Sequence, residues 1–111
     1  MSDPGLAVET VDQPADEAPP HAYRVTVKGE LDLDNAAVLA AHLDAIISNG
    51  ATLVTLDAAD VSFMDSTGLR TIVVAGNKLS ARGGQLLIQG VSGAAQRVLE
   101  ITGLLQRYQA S

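Results

Sequence analysis

Cysteine and tryptophan are absent from this chain of 111 residues, and aromatic residues of any kind are scarce. Without cysteine there is neither a disulfide framework nor a thiolate metal site, which fits a reducing compartment. Only Tyr23, Phe63 and Tyr108 supply aromatic rings, so the core must be built from Val, Leu, Ile and Ala. A chain of this length supports one such core, and we therefore expect one domain.

Long apolar runs and basic clusters are missing as well. No uninterrupted apolar run approaches the ~18 residues of a membrane span, and no basic start precedes an apolar run as in a signal peptide. We therefore expect a cytoplasmic protein without a membrane partner. The seven Lys and Arg residues are outnumbered by thirteen acids and form no cluster. This argues against nucleic acid as a partner, because a phosphate backbone is bound by a basic stripe.

The acidity is concentrated at the start of the chain. Residues 1–22 hold five acids and no Lys or Arg, whereas residues 23–111 hold eight acids and seven bases. Three prolines in residues 12–20 remove backbone donors and fix φ, which predicts a mobile linker there. We expect an acidic leader over residues 1–22, with an edge strand at 6–11 that pairs antiparallel with 23–28, followed by a domain over 23–111.

Strand and helix patterns alternate through the rest of the chain. Period-two alternation predicts a strand from Tyr23, and apolar runs predict strands at 52–56 and 85–89. Helical spacing predicts helices after each strand, the first capped by Asp34 or Asn35 and the last by Ser92. Residues 104–111 leave room for one short strand at most. The prediction is an α/β fold, a mixed and mostly parallel sheet of four to five strands with helices packed on it.

The stretch 63–69, Phe-Met-Asp-Ser-Thr-Gly-Leu, lies where a predicted strand passes into a predicted helix. Ser66 at such a junction can cap the helix by accepting a hydrogen bond from a backbone N–H. The same N–H groups and the helix dipole favour negative charge, so the hydroxyl can also carry a phosphate. Local chemistry leaves both roles open, with Thr67 as an alternate phosphate acceptor.

Patterns typical of catalysis or metal binding are absent. Residues 64–68 lack the first Gly of a Gly-x-Ser-x-Gly elbow, and Gly83-Gly84 follows a predicted helix instead of opening one. Of the two histidines, His21 lies in the leader and His42 on a predicted helix face, so neither is a credible base or ligand. We expect no enzyme activity, no cofactor, no metal and no small-molecule substrate.

Two motifs together resemble the STAS domain family, and more narrowly the bacterial anti-sigma factor antagonists. They are Gly29-Glu30-Leu31-Asp32 and, about thirty residues on, the stretch 63–69, within a similarity spanning roughly residues 23–105. The resemblance implies that the unphosphorylated domain binds an anti-sigma factor with serine kinase activity and so frees a sigma factor. It implies further that phosphorylation of Ser66 ends this binding and that a serine phosphatase restores it.

The predicted binding face combines both motifs, because the ends of their strands would meet at one edge of the sheet. It comprises Glu30, Leu31, Asp32, Asp34, Asp65, Ser66, Thr67, Gly68 and Leu69. Three alternatives stay open: a STAS scaffold subunit of a signalling assembly, a transporter-associated STAS subunit, and an anion or nucleotide binder at the start of the second helix. The sequence does not decide between a monomer and a weak dimer.

Overall fold

The computed structural model describes residues 6–12 and 21–108. Its elements, in chain order, are β1 (Leu6–Asp12), β2 (Ala22–Leu31), α1 (Ala36–Ser48), β3 (Leu53–Met64), α2 (Ser66–Ala81), β4 (Gln85–Gln89), α3 (Gly93–Ile101) and α4 (Leu104–Tyr108). The four strands of this part of the chain form one sheet in the order β1-β2-β3-β4. The predicted α/β architecture with a mixed sheet is confirmed.

The strand pairings agree with the prediction. The leader strand β1 pairs antiparallel with β2, with Leu6 opposite Gly29 and Asp12 opposite Tyr23. Strands β2, β3 and β4 are parallel neighbours joined by α1 and α2 as crossovers. The linker predicted to be mobile, residues 12–20, lies outside the described residues from position 13 onward. None of the helices in the described ranges is long and apolar enough to cross a membrane.

The core is aliphatic, as the scarcity of aromatic residues requires. Val54, Thr55 and Leu56 are buried in succession, and since successive strand residues point to opposite faces, β3 is covered on both. Leu56 and Ile72 are buried, while Leu53, Val73, Leu87 and Val98 are half-buried. In α1, Leu39, Leu43, Ile46 and Ile47 are buried, but Val38 is 40% exposed.

Two predicted boundaries are wrong. Strand β3 continues to Met64 instead of ending at Leu56. The polar residues after Leu56 suggested that the strand ends there. Asp57 is instead paired with Arg24 of the neighbouring strand β2 (3.0 Å). Ala58, Val61 and Met64 are buried, so burial continues beyond Asp57. Residues 104–108 form the short helix α4 instead of a strand. This helix is fixed by Tyr108, which is buried against Gly76 of α2.

Candidate functional site

The two sequence motifs meet where β2 and β3 end side by side. Glu30 is paired with Phe63 and Leu31 with Met64, so the parallel strands finish at the same edge of the sheet. The register shifts just before this point, and Gly29 has φ +106°. Such a bulge with positive φ favours glycine, which explains the first residue of the Gly-Glu-Leu-Asp motif. The expectation that both strand ends share an edge is confirmed.

Asp65 joins the two motifs through three hydrogen bonds to its side chain. One carboxylate oxygen, Oδ1, accepts from the backbone N–H of Thr67 (2.9 Å) and of Gly68 (3.0 Å). The other, Oδ2, accepts from the N–H of Leu33 in the loop after β2 (3.0 Å). Asp65 is therefore the N-cap of α2 and also holds the neighbouring loop in place.

The suggestion that Ser66 caps the helix is wrong. Ser66 is the first residue of α2, one position after the cap, and its side chain is exposed. Within residues 6–12 and 21–108 its hydroxyl makes no hydrogen bond. Asp is as good a cap as Ser, and here it lies one residue earlier. The hydroxyl of Ser66 therefore has no role in the helix start.

The same contacts set the charge state of Asp65. Hydrogen bonds from the N–H of Gly68, and then of Leu33 and Thr67, hold the pKa of this carboxyl below its ordinary value of 3.8. Loss of solvent acts in the opposite direction but is outweighed. Donors that bond to the ionised form favour that form. Asp65 is therefore a fixed negative charge beside Ser66 at neutral pH.

Gly68 packs the start of α2 directly on the end of β2. A Cβ at this position would lie 2.6 Å from Leu31 Cγ and 2.8 Å from the Leu31 carbonyl oxygen. Only a residue without a side chain allows this approach. Leu31 itself is 1% exposed. Of the predicted binding residues, Leu31 and Gly68 thus lie beneath the surface and shape it from below.

The loop after β2 is organised by a buried asparagine. Asn35 donates from Nδ2 to the carbonyl oxygen of Glu30 (2.6 Å) and accepts at Oδ1 from the N–H of Asp32 (2.9 Å). Asp32 Oδ1 in turn accepts from the N–H of Asp34 (3.0 Å). Asn35 occupies the N-cap position of α1, one of the two predicted, and its side chain reaches back into the loop. The loop that presents the acids is therefore fixed from within.

Two exposed apolar side chains accompany the acids, and the sequence analysis missed both. Leu33 is 75% exposed between Asp32 and Asp34, and Phe63 is 44% exposed at the end of β3. Leu33 could have been recognised, because a Leu between two acids in a tight turn has no core to enter. Phe63 could not, because its burial depends on where β3 ends. We call Leu33, Phe63 and Ser66, with Glu30, Asp32 and Asp34, the switch face.

Ser66 presents its hydroxyl on this surface, one residue after the Asp65 carboxylate. His42 lies on α1, where Nδ1 is 3.4 Å from Thr10 Oγ1 of β1. Among the described residues, no group of three or more His, Cys, Asp or Glu side chains is arranged to hold a metal ion. Thr67 is half-buried, less accessible than Ser66.

Comparison with known proteins identifies the family. Residues 13–109 match the STAS domain family. The chain belongs to this family. An anti-sigma-B factor antagonist of Bacillus subtilis (strain 168) is 37% identical to this STAS domain over 81 residues, 73% of each protein.

Solved structures show the same fold. The anti-sigma factor antagonist SpoIIAA in its unphosphorylated form superimposes on this STAS domain with a TM-score of 0.78 and 20% identity, covering 94% of this chain and 86% of that one. The Bacillus cell fate determinant SpoIIAA in the phosphorylated form gives a TM-score of 0.73 and 21% identity, covering 94% and 89%. At these identities the likeness concerns the fold alone.

Proposed function

We propose that this STAS domain is an anti-sigma factor antagonist, a regulatory binding protein whose partner is an anti-sigma factor with serine kinase activity. The unphosphorylated domain binds this partner through the switch face, and the sigma factor is released. The kinase transfers the γ-phosphoryl group of ATP to Ser66 Oγ, leaving ADP. A serine phosphatase returns the hydroxyl by hydrolysis.

One observation carries the proposal: Ser66 presents an unbonded hydroxyl between exposed apolar and acidic side chains. Exposed Leu33 and Phe63 supply apolar area that a partner can cover. Glu30 and Asp34 are exposed and Asp32 half-exposed at the same edge. Such a surface fits a partner that has an apolar recess with basic groups around it. The anti-sigma-B factor antagonist relatives support the same role.

The switch follows from charge and requires no backbone movement. A neutral hydroxyl beneath a partner loses little on desolvation, but a phosphate brings about −1.5 to −2 charge at pH 7. An unpaired charge buried in an interface costs several kcal/mol. The Asp65 carboxylate, ionised and fixed beside Ser66, raises this cost further. Phosphorylation therefore makes the centre of the face repulsive.

Affinity capture followed by calorimetry tests the proposal. We expect immobilised wild-type protein to capture, from an extract of its own cells, an anti-sigma factor with a kinase domain, identified by mass spectrometry. Ser66→Glu should bind this purified partner at least ~2 kcal/mol more weakly, about 30-fold. Ser80→Glu adds the same charge to an exposed site near the other end of α2 and should bind like wild type.

Phosphate mapping supplies the second half of the test. After incubation with partner and ATP, wild type and Thr67→Ala should carry phosphate on residue 66, and Ser66→Ala should carry none while still binding. Equal affinity of wild type and Ser66→Glu would refute the switch. Phosphate on Thr67 with none on Ser66 would move the acceptor to the alternate residue.

A further inference from the structure

The backbone N–H groups of residues 67–69, at the start of α2, are already occupied. The N–H groups of Thr67 and Gly68 both donate to Asp65 Oδ1, and the N–H of Leu69 donates to the Asp65 carbonyl oxygen (3.0 Å). A phosphate on Ser66 therefore cannot bond to these three N–H groups while the cap is in place. A cationic side chain beside Ser66 is then the protein group best suited to pair with its charge.

The part of the sequence that contains both motifs and most of α2 is strongly acidic. Residues 29–77 contain seven acids, Asp65 among them, and a single cation, Arg70. Asp32 and Asp34 lie in the loop that Asp65 holds. Asp44 of α1 lines the same groove as Thr67 and Arg70, but it is paired with Lys78 at 2.7 Å. Arg70 is thus the one available counter-charge in this stretch.

Arg70 is correctly placed to reach residue 66. It follows Ser66 by four positions in the same helix, and residues at this spacing are surface neighbours with Cβ atoms about 5–6 Å apart. Helical side chains lean toward the N-terminus, so Arg70 leans toward Ser66. Arg70 is exposed and, within the described ranges, makes no hydrogen bond or ion pair. It need not give up an existing contact to move.

We infer that Arg70 is the intramolecular partner of a phosphate on Ser66, an inference that rests on the proposed function for the choice of Ser66 as the modified residue. The guanidinium donates charge-assisted hydrogen bonds to the phosphate oxygens, a pairing for which its planar fork is well shaped. The phosphorylated domain thereby keeps Asp65 as its cap and keeps its fold. Arg70 changes from a free surface cation to half of an ion pair when the modification is made.

A phosphate titration without any partner tests the pairing. Phosphoserine is placed at position 66 by genetic encoding in wild type, Arg70→Gln and Arg70→Lys, and its ³¹P shift is followed from pH 4 to 8. The second phosphate pKa, near 6 in peptides, should be higher in Arg70→Gln than in wild type by roughly 0.3 unit or more. Arg70→Lys should lie between them. The control Arg97→Gln removes an exposed arginine from α3 and should titrate like wild type.

A melting comparison adds a readout of stability. Phosphorylation should lower the melting temperature of Arg70→Gln more than that of wild type, because only wild type balances the new charge. Identical phosphate pKa values in wild type and Arg70→Gln, or an equal shift in Arg97→Gln, would overturn the inference. No partner is present in these experiments, so their results do not depend on whether phosphorylation weakens binding. The pairing of Arg70 with the phosphate can therefore be refuted while the proposed function stands, and the reverse also holds.

Discussion

Replacing Gly68 with alanine tests whether α2 is locked onto the end of β2. The added Cβ would lie 2.6 Å from Leu31 Cγ and 2.8 Å from the Leu31 carbonyl oxygen. The leucine side chain can rotate away, but the carbonyl oxygen cannot, because it accepts a hydrogen bond from the N–H of Asp65 at 3.1 Å. The start of α2 must therefore move away from β2.

The magnitude follows from two opposing terms. Overpacking of a tight contact costs about 1–3 kcal/mol. The higher helix propensity of alanine stabilises the fold by at most about 1 kcal/mol relative to glycine. We expect Gly68→Ala to lose roughly 1–2 kcal/mol of unfolding free energy, a substantial part of the 5–15 kcal/mol typical of a domain. The variant should also bind the partner more weakly, since Leu33 and Asp65 move with the helix start.

Urea unfolding measures the loss as a lower midpoint at unchanged m-value. The control is Ser66→Ala in the same turn of helix, where an exposed side chain without hydrogen bonds is removed, and its stability should stay within about 0.5 kcal/mol of wild type. If Gly68→Ala were as stable as wild type or more stable, the start of α2 would be able to shift away from Leu31 without loss of stability. The two motifs would then not form one locked unit.

Two further predictions concern the core and the cap. Leu56→Ala should cost about 2–5 kcal/mol in urea unfolding, because Leu56 is 2% exposed in the central strand, and a loss below about 1 kcal/mol would contradict its placement. The folded pKa of Asp65 is depressed, so its charge stabilises the fold above the ordinary value of 3.8 and this contribution disappears as the pH falls through that value toward the lower folded pKa. The melting-temperature advantage of wild type over Asp65→Asn should accordingly shrink between pH 6 and pH 3, and a constant difference would contradict the assignment.

The sheet was predictable because its signals are local. Alternating residues from Tyr23 and the apolar run at 52–56 mark strands, and parallel strands that are joined by helices end at one edge. That rule predicted that Glu30 lies near Ser66 at a shared edge of the sheet, and the pairing of Glu30 with Phe63 and of Leu31 with Met64 confirms the shared edge. The two motifs could therefore be expected at one edge of the sheet from topology, whereas their role as a binding face came from the resemblance to the STAS family.

What sequence reasoning missed depends on contacts between distant residues. Asp65 and Ser66 are both good N-caps, and only the three-dimensional position of Leu33 favours the aspartate, whose second oxygen bonds to the loop. Helix α4 depends on the fit of Tyr108 against Gly76, which no local pattern shows. Arg70 had no significance in the sequence until Asp65 was found to occupy the donors beside Ser66.

This division of roles would allow the proposed phosphorylation of Ser66 to change the charge at that position while the helix start stays intact. Had Ser66 been the cap, adding a phosphate would have replaced the acceptor that holds the first turn, and binding and folding would have been coupled. With Asp65 as the cap, the hydroxyl of Ser66 makes no contact that the helix start needs. The Asp65 carboxylate keeps its hydrogen bonds from the N–H groups of Thr67, Gly68 and Leu33. Under the proposed function, a phosphate at position 66 would act on the partner through charge alone, and the cycle of phosphorylation and hydrolysis would require no refolding.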